Sequence, residues 1–128
     1  MGSKYFERIS AKQLAALENV SDTDFAGQVY TYLTAGGLIP MRRKDRKGGL
    51  YVFDACCDPD EERAYIPISW DMAVTEAAEI AKSLLDHYTE AILERSKKST
   101  ATHMSDWRNA QTARRAVMIF RDRNILMI

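Results

Sequence analysis

Apolar residues recur along this chain with two different spacings, and the changes between them mark out its elements. Ser10 precedes Ala11-Lys12-Gln13-Leu14-Ala15-Ala16-Leu17, which predicts a short N-capped helix broken at Asn19-Val20-Ser21. Ser21 or Asp22 caps a second predicted helix running to about Ala35, with Phe25, Val29, Tyr32 and Leu33 on one core-facing side. Gly36-Gly37 ends it, and Leu38-Ile39-Pro40 opens an extended segment. Lys47-Gly48-Gly49 reads as a loop tip and Leu50-Tyr51-Val52-Phe53 as a strand. Asp58-Pro59-Asp60-Glu61 is a turn, and Ala64 to Ile68 returns as a strand, placed at a sheet edge because Pro67 has no N–H to donate.

Ser69 then caps the longest element. Trp70, Val74, Ala77, Ala81, Leu84, Tyr88 and Ala91 alternate spacings of four and three, and Ala78, Leu85 and Ile92 widen the stripe. The pattern predicts an amphipathic helix to about Arg95, roughly 38 Å long at the usual helical rise. That exceeds what a small sheet needs as cover, so self-association through Leu84, Leu85, Tyr88 and Ile92 is expected. Ser105 can cap another helix from Asp106 to about Met118, but Val117 to Ile128 fits a hairpin of two apolar strands equally well. The expected fold is therefore α+β in one domain over 1–128. A helix–turn–helix and small antiparallel sheet lead into the long helix (69–96) and a basic C-terminal helix or hairpin (104–128).

Composition narrows the class. The 128 residues are 46% hydrophobic and 28% charged, which excludes a disordered chain. No apolar run reaches the roughly 18 residues of a spanning helix. The start lacks a signal-peptide stretch, and Phe6 stands where a myristoylation signal has Ser or Thr. A cytoplasmic location away from membranes is the expectation. Cys56 and Cys57 are adjacent and read as core or edge positions of an extended strand, not as a disulfide scaffold or zinc set.

Net charge is zero, from 18 basic and 18 acidic residues, yet the charges are segregated. Arg42, Arg43, Lys44, Arg46 and Lys47 make one basic run, and Arg108, Arg114, Arg115, Arg121 and Arg123 make a second cluster. Between them lie Asp54, Asp58, Asp60, Glu61 and Glu62. A local basic field can hold a polyanion even on a neutral protein. The acidic loop has no Gly at a calcium-loop turn and reads as a solvated turn. No nucleophile–base pair, metal-ligand set or cofactor loop stands out, so no catalytic residue, metal or cofactor is expected.

Lys12-Gln13-Leu14-Ala15, then Gly37 to Pro40, Lys47-Gly48-Gly49, Leu50-Tyr51 and Asp54 together resemble the MerR/excisionase-type winged helix-turn-helix that also opens phage terminase small subunits. The resemblance spans about residues 9–54. It implies a double-stranded DNA partner and a phage-like or bacterial regulator, excision or packaging factor. Arg42, Arg43, Lys44, Arg46 and Lys47 would act as a phosphate-contacting wing, Gln28 and Thr31 as groove-facing groups of the second helix, and Arg114 and Arg115 as a further contact. Against base reading, no Lys or Arg lies between Lys12 and Arg42, whereas Glu18, Asp22 and Asp24 do. The competing expectation is a protein-binding inhibitor or adaptor, such as a small phage-encoded protein that blocks a host machine.

Overall fold

The computed structural model describes residues 5–45, 49–98, 104–123 and 125. The chain divides into two compact units, residues 1–77 and 78–128, with the division inside the long helix. The architecture is α+β, as the sequence pattern predicts.

In the first unit the order is β1 (Phe6–Arg8), α1 (Ala11–Leu17), α2 (Thr23–Ala35), β2 (Leu38–Arg43), β3 (Leu50–Asp54) and β4 (Tyr65–Ile68), followed by the start of α3 (Trp70–Lys98). The four strands form one antiparallel sheet in the order β1-β2-β3-β4. Strand β4 lies at the edge, where Pro67 is tolerated. Pro40, by contrast, sits in a central strand. Its carbonyl accepts from the Ile9 N–H at 3.3 Å. A residue's N–H and C=O point to the same side in an antiparallel ladder, so the missing donor faces Ile9, just past the last β1–β2 pair, Arg8 opposite Met41. The β2–β3 ladder loses nothing.

Local chemistry sets the helix ends. Ser10 and Gln13 close a reciprocal capping box at the start of α1. At its end, the Val20 N–H reaches the Ala15 carbonyl at 2.8 Å and the Asn19 N–H reaches Ala16 at 3.2 Å. Asn19 sits at φ 59°. This is a Schellman turn with Asn in the left-handed position, and it sets the angle at which α2 departs. Asp22 caps α2 through the Phe25 N–H. Gly37, at φ 81°, ends α2 and leads into β2.

The sheet is packed on both faces. On one, Pro40, Leu50 and Val52 are buried, and α2 packs against β2. Leu14, Phe25, Val29, Tyr32 and Leu33 are buried on α1 and α2, as expected from their spacing. On the other face Phe6, Met41, Ala64 and Tyr65 form a cluster flanked by Ile39, Tyr51 and Phe53. The Tyr65 hydroxyl donates to the Pro59 carbonyl at 2.7 Å and draws the acidic loop against this face.

Ser69 caps α3 through the Met72 N–H. The α3 stripe is buried at Val74, Ala77, Ala78 and Ala81 and only half-buried at Leu84, Leu85, Tyr88, Ala91 and Ile92. In the second unit, α4 (Met104–Asp122) resolves the open choice at the C-terminus. Val117 to Phe120 is helical, not the first strand of a hairpin. Ala113, Ala116, Val117 and Phe120 fall at helical spacing and are all buried, a face that an extended chain would split. The tail beyond Ile125 lies outside the described residues.

Two measurements test these local arguments. A Cβ on Gly37 would meet only the Ala55 Cβ, at 3.9 Å, so backbone conformation and not space selects glycine there. Gly37→Ala should lower stability by about 1–2 kcal/mol in chemical denaturation, and Gly37→Asn by less. Burial pushes the Glu18 carboxyl, beside the α1–α2 turn, above its usual range. Its charged form therefore opposes folding. The penalty is absent below the ordinary glutamate range and develops as pH rises through it and through the raised folded value. Glu18→Gln should have a higher melting temperature than wild type at pH 7, with the gap closing below about pH 4.

Candidate nucleic-acid interface

The β2–β3 hairpin carries the basic run. Arg42 and Arg43 end β2, Lys44 and Asp45 begin the turn, and Arg46 and Lys47 lie outside the described residues. Register decides what each cation meets. Glu7 pairs with Arg42 across β1–β2, and their side chains form an ion pair in which they are 38% and 45% exposed. Arg43 grips Asp45 through two hydrogen bonds, Nε to Oδ1 at 2.8 Å and Nη2 to Oδ2 at 3.1 Å. Its guanidinium also lies 5.4 Å from the Phe6 ring centre and 5.9 Å from that of Tyr5. The bond to Asp45 holds Arg43 firmly in its charged form. The Lys44 side chain is exposed, and its backbone N–H donates to the Tyr5 carbonyl at 2.7 Å. The cations are thus mounted on a three-stranded ribbon with neighbouring carboxylates already engaged.

Nothing in the basic run points to β1. Tyr5-Phe6-Glu7-Arg8-Ile9 has no period-two alternation, so β1 carries no strand signal of its own in the sequence. Glu7 and Asp45 are the ion-pair partners that reading the basic run alone overlooks.

Helix α2 presents Thr31 to solvent, with Gln28 half-buried one turn before it. Asp24 is exposed in the first turn. A carboxylate there satisfies the helix dipole but repels phosphate. The Tyr30 hydroxyl donates to the Ile9 carbonyl at 2.9 Å, tying α2 to the end of β1 and thus to the hairpin.

The second basic cluster belongs to the second unit. Arg114 and Arg115 are exposed on α4 and line a groove of about 540 Å³ together with Trp107 and Met118 of α4 and Leu85, Ile92 and Leu93 of α3. The structure brings together two residues expected to contact DNA and two expected at an interface, Leu85 and Ile92. Leu84 and Tyr88 do not line it. Tyr88 instead has its ring 5.5 Å from that of His87.

Cys56 and Cys57 correct an expectation. Strand β3 ends at Asp54, whose carboxylate accepts the Cys56 N–H at 3.0 Å and turns the chain. Both thiols are exposed in that turn and not in a strand. Asp58 accepts the Asp60 N–H in the same way, so two of the clustered carboxylates shape the loop. Among the described residues, no group of three or more His, Cys, Asp or Glu is placed to hold a metal ion, and no helix is long and apolar enough to cross a membrane.

The chain matches no protein-family model, no curated protein and no solved structure.

The local surroundings of Cys57, partial desolvation first and then the Asp54 carboxylate, push its thiol pKa up. Less thiolate is present at neutral pH. Peptide mass mapping after brief iodoacetamide treatment at pH 7 should show slow labelling of Cys57. Asp54→Asn should speed it.

Proposed function

We propose that the first unit is a winged helix-turn-helix and that the protein binds double-stranded DNA through the β2–β3 wing without catalysing a reaction. The observation that carries this reading is the mounting of Arg42 and Arg43 at the end of β2 with Lys44 next in the turn, in the strand that directly follows the α1–turn–α2 pair. The Arg42 and Arg43 partners are surface carboxylates. The Arg42–Glu7 pair is exposed, and such pairs are worth about 0–1 kcal/mol, whereas the Arg43 side chain is 20% exposed and held by two bonds to Asp45. A phosphate can therefore take over the Arg42 guanidinium and meet the exposed Lys44 beside it, and release of counterions from the duplex supplies the affinity. Arg46 and Lys47 extend the same run in sequence.

Helix α2 has a smaller part. With Asp24 at its start and Gln28 and Thr31 as its polar candidates, it adds hydrogen bonds but no positive charge. Binding should depend on backbone contacts and discriminate weakly among sequences. This suits a packaging or excision factor better than a regulator that reads a strict operator. The same acidic start favours a second reading, an adaptor or inhibitor that keeps the fold and docks on a protein. An acidic helix front opposes entry into a groove lined with phosphate.

Fluorescence titration of a mixed-sequence duplex at several salt concentrations separates the two. Wild type should bind with a clear salt slope, at dissociation constants on the order of 10⁻⁶–10⁻⁴ M near physiological salt. Replacing Arg42, Arg43 and Lys44 by Ala should weaken binding alike on different sequences and flatten the slope by up to about one unit per lost phosphate contact. No binding by wild type at low salt, or an unchanged slope in the triple variant, overturns the DNA reading in favour of a protein partner.

A further inference from the structure

The groove on the second unit presents apolar surface to solvent. Leu93, Trp107 and Met118 line it and are 58%, 56% and 51% exposed. Large apolar side chains clustered in this way and bordered by charge mark an interaction surface. Trp and Arg are also the residue types that most often dominate such surfaces.

We propose that this groove is a self-association surface, which receives the same groove of a second copy of the chain about a two-fold axis running along the helices. Charge selects this occupant. At about 100° per residue, Asp86 and Glu90 follow each other along the flank of α3 beside Leu93, and both are exposed. On α4, Arg114 and Arg115 fall on either side of the line joining Trp107 and Met118, and both are exposed. The α3 side of the groove is therefore flanked by an acidic pair, with Lys82 one turn before it, and the α4 side carries a basic pair, with Asp122 one turn past Met118.

Such a surface is complementary to itself in one orientation. A two-fold axis parallel to the helices lays α4 of one copy over α3 of the other. Arg114 and Arg115 then approach the partner's Asp86 and Glu90, and the reciprocal set forms by symmetry. An axis across the helices would place acid on acid and base on base. Leu85 and Leu93, which line the groove, bracket Asp86 and Glu90 in sequence, and Trp107 and Met118 bracket Arg114 and Arg115, so a rotation that preserves position along the axis sets these stretches against each other. Trp107, Met118 and Leu93 of both copies would close together between them.

The proposal is independent of the wing, and it assigns Arg114 and Arg115 to a second copy of the chain and not to the further DNA contact expected from sequence. Sedimentation equilibrium on the full chain tests it, from about one to about a hundred micromolar, where an interface of modest size associates. Wild type should reach dimer mass, with the dimer weakened by salt. Arg114→Glu with Arg115→Glu should run as a monomer, and so should Asp86→Arg with Glu90→Arg. An equimolar mixture of these two double variants should recover dimer mass, because each then offers the other complementary walls. The mixture also shows that the variants are folded. Trp107→Lys, at a side chain more than half in solvent, should give a monomer with an unchanged helical circular dichroism spectrum. Arg42→Ala with Arg43→Ala and Lys44→Ala should still dimerise. A wild-type chain at monomer mass throughout overturns the proposal, and the groove then belongs to a different protein. A dimer indifferent to the charge swaps and to Trp107→Lys also overturns it, as does a mixture that stays monomeric.

Discussion

The attachment of β1 to β2 is the constraint on which the first unit depends, and Phe6 secures it. Its ring is 3% exposed and lies parallel to Tyr65 with centroids 4.3 Å apart. The Tyr51 ring meets it edge-on at 4.9 Å, and the Arg43 guanidinium lies over it. Burying a side chain of this size is worth about 1.5–3 kcal/mol. A three-residue strand has too few ladder bonds to hold by itself, so this aromatic anchor decides whether it stays. With β1 in place, Glu7 stands opposite Arg42, the Tyr5 carbonyl receives the Lys44 N–H, and the Ile9 carbonyl receives the Tyr30 hydroxyl. One short segment thus ties the hairpin to the second helix and sets the charge the hairpin shows to solvent.

Elements whose signals are local were legible in the sequence. The starts of α1 and α3 and the end of α2 were marked by Ser10, Ser69 and Gly36-Gly37, and the start of α2 to within Ser21 or Asp22, because caps and left-handed turns are chosen by the residue that occupies them. The core positions Phe25, Val29, Tyr32 and Leu33 followed from period alone. Strand β1 was not legible, since three residues carry little periodicity and its stability comes from partners more than 30 positions away. Cys56 and Cys57 were misplaced for a related reason. The apolar run 50–53 gives no sign of where pairing stops, and the stop is made by one carboxylate, that of Asp54, folding back onto the Cys56 N–H. At the C-terminus, Val117-Met118-Ile119-Phe120 suits either a strand or a helix. The burial of Ala113 and Ala116 on the same side as Val117 and Phe120 decides it.

The candidate site was legible as a position but not as an electrostatic state. A run of five cations among six residues suggests a strong positive field. In the fold, Glu7 and Asp45 take Arg42 and Arg43, one carboxylate coming from across the sheet and the other from two residues along the chain. Charge counted in sequence overstates charge offered to a ligand whenever strand pairing brings an acid opposite a base. The pairs also have a positive role. They hold two long side chains in defined geometry, so part of their rotamer freedom is already spent in the fold.

The long helix shows why an amphipathic stripe alone does not identify what it packs against. Its apolar spacing runs unbroken from Trp70 to Ile92, yet burial is complete only between Ala73 and Ala81. The change coincides with a change of residue type. Alanines at 73, 77, 78 and 81 are small enough to be fully enclosed, whereas Leu84, Leu85, Tyr88 and Ile92 are large and remain partly in solvent. Small residues let neighbouring backbone come close; large ones need a deeper receiving surface to be covered. The half of the stripe built from large side chains is therefore the half that needs additional cover. That same half borders the groove where α4 sets Trp107, Met118 and two arginines. An uninterrupted pattern thus contains two physical regimes, one completed within the chain and one whose apolar area and bordering charge call for something beyond it.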